Sequence, residues 1–85
     1  MMSKLVFLIE KVIDAVKDDL PAQNIVDARE LLSHNEWGEA LYLIYTQLYE
    51  YDISISKDTY QMIESAGTQM SMDRRGWEML TIKEP

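Results

Sequence analysis

Apolar residues recur at helical spacing along almost the whole chain, and the breaks in that rhythm divide it into five segments. Leu5, Leu8, Ile9, Val12, Ile13 and Val16 fall on one face of a helix spanning about 3–17, with Lys4, Glu10, Lys11, Asp14 and Lys17 on the other. Asp18-Asp19-Leu20-Pro21 ends it. Pro21 suits the opening of a second helix, because the first turn has no intrahelical use for the N–H that proline lacks, and Asp19 or Leu20 precedes that helix. Across 22–33, Ile25, Ala28, Leu31 and Leu32 share a face opposite Gln23, Asp27, Glu30 and His34. Asn35 is the expected N-cap of a third helix running to about Tyr51, with Glu36 in the first turn where the helix dipole favours negative charge. Asp52-Ile-Ser-Ile-Ser56 then turns the chain, and Ser56 caps a fourth helix with Ile55 and Tyr60 placed as a hydrophobic staple. Tyr60, Ile63, Gly67 and Met70 continue its inner stripe. Asp73 repeats the device, with Met72 and Trp77 in the staple positions of a short fifth helix carrying Leu80. The connections are short, so the expected fold is all-α: a single domain over 1–85, a small bundle of four to five antiparallel helices.

The third helix is the least ordinary of the five. At 100° per residue Leu41, Ile44 and Leu48 form one stripe, and Tyr42, Tyr45 and Tyr49 form a second about 110° away. A helix this apolar around its circumference is central in its fold or pressed against a partner. Tyr42 and Tyr45 are expected in the core, whereas the position of Tyr49 and Tyr51 near the helix end leaves them open to either role.

Size narrows the possibilities. A chain of 85 residues sits near the lower limit at which an apolar core alone holds a fold, and leaves no room for a second domain. Cysteine is absent, which removes disulfides, thiolate metal sites and a cysteine nucleophile, and suits the reducing cytoplasm. Leu5-Val-Phe-Leu-Ile9 superficially imitates an export signal, but Glu10-Lys11 interrupts the run too early; neither an export signal nor a membrane span is expected. No solenoid period is present.

The net charge of −7 is localised. Between Asp18 and Ser56 eight acids face a single base, Arg29, while the rest of the chain carries seven acids and seven bases. The imbalance disfavours nucleic-acid binding and favours a cationic protein partner, with solubility alone as the plain alternative.

Catalytic constellations are sparse. A Ser-His-Asp mechanism requires a histidine base, and the sole histidine, His34, stands at a predicted helix end, where a solvent-facing side chain is expected. His34, Glu36 and Glu39 straddle a helix boundary with no second His or Cys to complete a metal set. Asp18 with Asp19, and Glu36 with Glu39, read as solvated carboxylates rather than an acid–base pair around a cleft. Gly38, Gly67 and Gly76 are isolated, so no phosphate-cradling loop is present, and the lone Arg74-Arg75 pair is too small for a nucleic-acid footprint. The methionines of the last third read as gap-fillers before they read as an adaptable surface. A non-enzymatic protein without cofactor or metal is expected.

Aromatic residues beside acids stand above this background. Tyr and Trp bury area at interfaces with little entropy loss, and acids beside them complement a basic partner. The candidate contact residues are Asp27, Glu30, Glu36 and Glu39, followed by Tyr49, Glu50, Tyr51 and Asp52. A tyrosine stripe left exposed could equally serve a homodimer.

Glu36-Trp-Gly-Glu-Ala-Leu41, then Gln47-Leu-Tyr-Glu-Tyr-Asp52 with Ile55 and Tyr60, resembles the small MafI-type immunity proteins that accompany bacterial polymorphic and contact-dependent toxins. Gly67, Met70, Asp73, Trp77-Glu78 and Leu80 continue the pattern, which covers roughly residues 25–80; Arg74 departs from it, standing where the family often has proline. The resemblance implies a cytoplasmic antitoxin that binds the toxic C-terminal domain of a cognate effector, expected to be a basic nuclease. It carries over no catalytic residues and no toxin-contact positions; Trp37, Gly38, Leu48 and Trp77 are its candidates for fold. The runner-up function is a non-catalytic helical adaptor that docks another protein through the same acidic, tyrosine-rich helix.

Overall fold

The computed structural model describes residues 3–84, so Met1 and Met2 of the signal-like start lie outside it. Five helices follow one another: α1 (Lys4–Val16), α2 (Ala22–Ser33), α3 (Trp37–Glu50), α4 (Lys57–Gln69) and α5 (Arg75–Glu78). The expected all-α bundle is the observed one. Its radius of gyration, 11.7 Å, matches the value of about 12 Å for a close-packed chain of this length.

Two of the helices, α1 and α4, begin at a serine whose side chain satisfies a free backbone N–H. Ser3 Oγ accepts from the Val6 N–H at 3.1 Å, and Ser56 Oγ accepts from the Thr59 N–H at 3.1 Å. Three helices end in one way. Asn35, Asp52 and Ser71 take left-handed backbone conformations, with φ of 62°, 53° and 56°. After each, the chain folds back through a pair of bonds: Glu36 N–H to Leu31 O and Asn35 N–H to Leu32 O after α2, Ile53 to Leu48 and Asp52 to Tyr49 after α3, Met72 to Gly67 and Ser71 to Thr68 after α4. These are Schellman terminations without glycine. They correct the reading of Asn35 as an N-cap, since Asn35 terminates α2 and Glu36 opens α3 with no side-chain cap. Asn tolerates both conformations, and its identity alone does not separate them. Pro21 is likewise one position earlier than expected, flanking α2 rather than inside its first turn. Asp73 precedes α5, whose N-cap is Arg74, but its carboxylate still accepts the Arg75 N–H at 3.0 Å.

Packing is not simply sequential. α2 lies chiefly against α3 and α1 against α4, while α3 touches all four other helices. Ile9, Val12, Ile13 and Val16 of α1, Leu41, Ile44 and Leu48 of α3, and Ile63 of α4 are buried in one core cluster. After α5 the chain returns beside the loop before α4: Ile55 N–H donates to Thr81 O at 2.9 Å, and Lys83 N–H donates to Ile55 O at 2.7 Å, forming a single parallel bridge between Ile55 and Ile82.

Two glycines seat the aromatic part of this core. A Cβ at Gly67 would overlap the Trp77 ring, and one at Gly76 would lie 2.8 Å from Tyr45 Oη, so each ring fits because no side chain competes for its place. Tyr45 and Trp77 meet edge to face, 5.9 Å between centroids at 68°. The short α5 thereby covers one flank of α3 and leaves another open.

Candidate interaction surface

The open flank is built on α3. Ala40, Leu41, Ile44, Tyr45 and Leu48 are buried, while Glu39, Tyr42, Thr46, Tyr49 and Glu50 fall within an arc of about 100° on the opposite side. Thr46 bonds back to its own helix, its hydroxyl donating to the Tyr42 carbonyl at 2.8 Å.

The tyrosine stripe therefore splits. Tyr45, 3% exposed, enters the core under α5, and burial, followed by the nearby Tyr42 and Asp73, raises its phenol above the ordinary range. Tyr42 packs its edge on the Tyr45 ring at 5.4 Å yet remains 57% exposed, which corrects the expectation of a core position. Its Cα direction points toward the arc, and Tyr45 already fills the space beneath α5. Tyr49 and Tyr51 are 52% and 55% exposed, so both are available to a partner.

At the N-terminal end of α3 the surface is concave. Asp27, Glu30 and Leu31 from α2 and His34 just after it, with Glu36 and Leu43, line a shallow, widely open depression of about 410 Å³. Asp27 is held by Gln23, whose Nε2 donates to Asp27 Oδ1 at 2.8 Å. Glu39 stands beside Glu36, and hydrogen bonding to the Glu36 carboxyl, then its like charge, raise the Glu39 carboxyl above the usual range. At the other end Tyr49 and Asp52 border a dimple of about 30 Å³ with Met79, whose side chain is itself exposed.

The eight residues singled out from sequence thus fall into two groups. Asp27, Glu30, Glu36 and Glu39 gather at the α2–α3 corner; Tyr49, Glu50, Tyr51 and Asp52 gather at the far end of α3, about 20 Å along the helix. Tyr42 and Thr46 connect them. Sequence reasoning missed Tyr42, Leu31, Leu43 and Met79 as surface residues. The first three sit at the edge of apolar stripes, where periodicity alone does not tell rim from core, and nothing local marked α5 as the element that chooses Tyr45 over Tyr42.

The arginines of the chain pair with acids outside this surface. Arg29 pairs with Asp14 at 2.8 Å, Arg74 with Glu64 and Glu78 at 3.3 Å each, and Arg75 with Asp73 at 2.7 Å. Among the described residues none of Asp27, Glu30, Glu36, Glu39, Glu50 and Asp52 has a partner at ion-pair distance. No three His, Asp or Glu side chains among the described residues are grouped to hold a metal ion, and no helix is long and apolar enough to cross a membrane. Comparison with protein-family models, with curated proteins and with solved structures gives no match.

Proposed function

We propose that this protein is a non-catalytic binding protein that neutralises the toxic C-terminal domain of a cognate bacterial polymorphic or contact-dependent toxin, as an immunity protein in the cytoplasm. The observation that carries the reading is the exposed face of α3, where exposed tyrosine rings stand with two groups of carboxylates that make no ion pair among the described residues. A nuclease domain must approach phosphate and is accordingly basic, so a surface of this kind gains association rate by steering and can occupy the place of the nucleic acid. The rings supply what charge alone does not: buried area at the centre of the contact.

The first check is whether the adjacent upstream gene encodes a long secreted protein with a variable C-terminal domain; that candidate toxin domain is then the test partner. The two proteins are expected to co-purify as a stoichiometric complex. Glu50→Lys with Asp52→Lys is expected to lower the association rate about tenfold or more at low salt and to flatten its salt dependence. Unchanged association at low salt would move the contact away from this end of α3. A complex with an unrelated housekeeping protein, and none with the toxin domain, would favour the adaptor reading.

A further inference from the structure

Tyr42, Tyr49 and Tyr51 are all exposed, yet they are not supported alike. Tyr42 rests on the Tyr45 ring, 5.4 Å between centroids at 74°. Tyr45 in turn meets the fully buried Trp77 ring, so a continuous series of aromatic contacts leads out of the core and ends on the surface at Tyr42. Its inner members are confined: Gly67 is pressed on the Trp77 ring and Gly76 on the Tyr45 ring, each closer than a Cβ would allow. Among the described residues neither Tyr49 nor Tyr51 meets another ring.

This difference bears on binding. An exposed side chain that a partner must immobilise loses its rotamer freedom on association, whereas one already held by its neighbours has less to lose. Tyrosine has only two side-chain torsions, and contact with the Tyr45 ring restricts them at Tyr42 before any partner arrives. Position points the same way. The strongest contacts of an interface lie toward its centre, inside a polar rim. Glu39 precedes Tyr42 by one turn, about 4.5 Å along the axis, and Glu50 follows Tyr49 on the same arc. Both acids are exposed and make no ion pair among the described residues. A surface that covers the ring therefore meets negative charge at its margins, which selects a basic protein over a second acidic copy of the chain.

We infer that Tyr42 is the principal anchor of the α3 face, the ring that the basic partner covers most completely, with Tyr45 and Trp77 as positioning residues beneath it. The inference rests on the proposed function for the identity of the partner, and it moves the weight of the contact from Tyr49 and Tyr51 at the helix end to the middle of α3.

The free protein provides the first arm of the test. With ¹³C-labelled tyrosine in the full chain, three-bond couplings are expected to show one χ1 rotamer for Tyr42 and averaging for Tyr49 and Tyr51; equal averaging at all three would overturn the inference. The second arm measures affinity for the candidate toxin domain. Tyr42→Ala is expected to weaken the complex about thirtyfold or more, mostly through faster dissociation, while the circular dichroism stays that of the parent. Tyr49→Ala and Tyr51→Ala are each expected to weaken it less than about fivefold. Tyr45→Leu is expected to release the Tyr42 rotamer and weaken the complex, and Tyr45→Phe, which keeps the ring, to do neither. Should Tyr45→Leu fail to fold, the three alanine variants decide. A complex indifferent to Tyr42→Ala, or weakened as much by Tyr49→Ala, would overturn the anchor and leave the proposed function standing. Absence of any complex with the parent chain would sink the proposed function, and the anchor with it.

Discussion

A methyl group added at Gly67 would overlap the Trp77 ring, which is fully buried and has no room to retreat. Gly67→Ala is therefore expected to cost about 2–3 kcal/mol, read as a lower urea midpoint at unchanged slope. Wild-type stability in that variant would mean that Trp77 does not pack on α4 as described. Asp73 acts on the same aromatic group from outside. Its side chain accepts from the Arg75 guanidinium at 2.7 Å and from the Arg75 backbone N–H at 3.0 Å, which holds its pKa at about 2, below the ordinary 3.8. A carboxylate whose folded pKa is depressed adds stability that is fully present above its unfolded pKa and is lost as pH falls through the folded one. The contribution of Asp73 thus disappears between about pH 4 and pH 2. Asp73→Asn is expected to make the decline of stability over that interval shallower; an unaltered decline in a pH series of denaturant midpoints would contradict the contact.

At the scale of elements, the three glycine-free helix ends are the least economical part of the fold. A non-glycine residue in the left-handed region costs roughly 1–2 kcal/mol, less for Asn and Asp than for Ser, while glycine returns part of that gain through its freer unfolded state. Ser71→Gly is expected to stabilise the protein by about 0.5–1 kcal/mol, measured as a raised thermal or urea midpoint, and more than Asn35→Gly does. A destabilised Ser71→Gly would show that φ of 56° is not strained there. The same ends mark the limit of what the chain discloses. Periodicity located all five helices and most of the core, because Ile9, Ile13, Leu41, Ile44 and Ile63 repeat at helical spacing and burial follows directly from that spacing. It did not locate the Schellman turns, whose usual sign is glycine. Nor did it tell Tyr42 from Tyr45, because their separation depends on α5, a four-residue helix whose placement is set by long-range contacts of Trp77 and Gly76 rather than by a local pattern.

Over the whole molecule, charge and shape divide the surface. The arginines are engaged with acids outside the candidate surface, and the acids of that surface, on α2, on α3 and at the end of α3, make no ion pair among the described residues. The acid excess between residues 18 and 56 was visible in the sequence; its arrangement as two groups bridged by Tyr42 and Thr46 was not, because it depends on which flank of α3 the other helices leave free. Such a face, with a net charge of −7 behind it, repels a second copy of the chain and attracts a basic domain, which is why a toxin rather than a homodimer is the proposed partner. The central claim is that the open face of α3 neutralises that toxin. It is tested most directly by growth of cells expressing a candidate toxin domain from the adjacent gene together with this chain or with a variant carrying Glu39→Lys, Tyr49→Ala and Glu50→Lys, all exposed positions. Rescue by the parent chain and loss of rescue by an equally abundant, equally folded variant is the predicted result; failure of the parent to rescue, or full rescue by the variant, would contradict it.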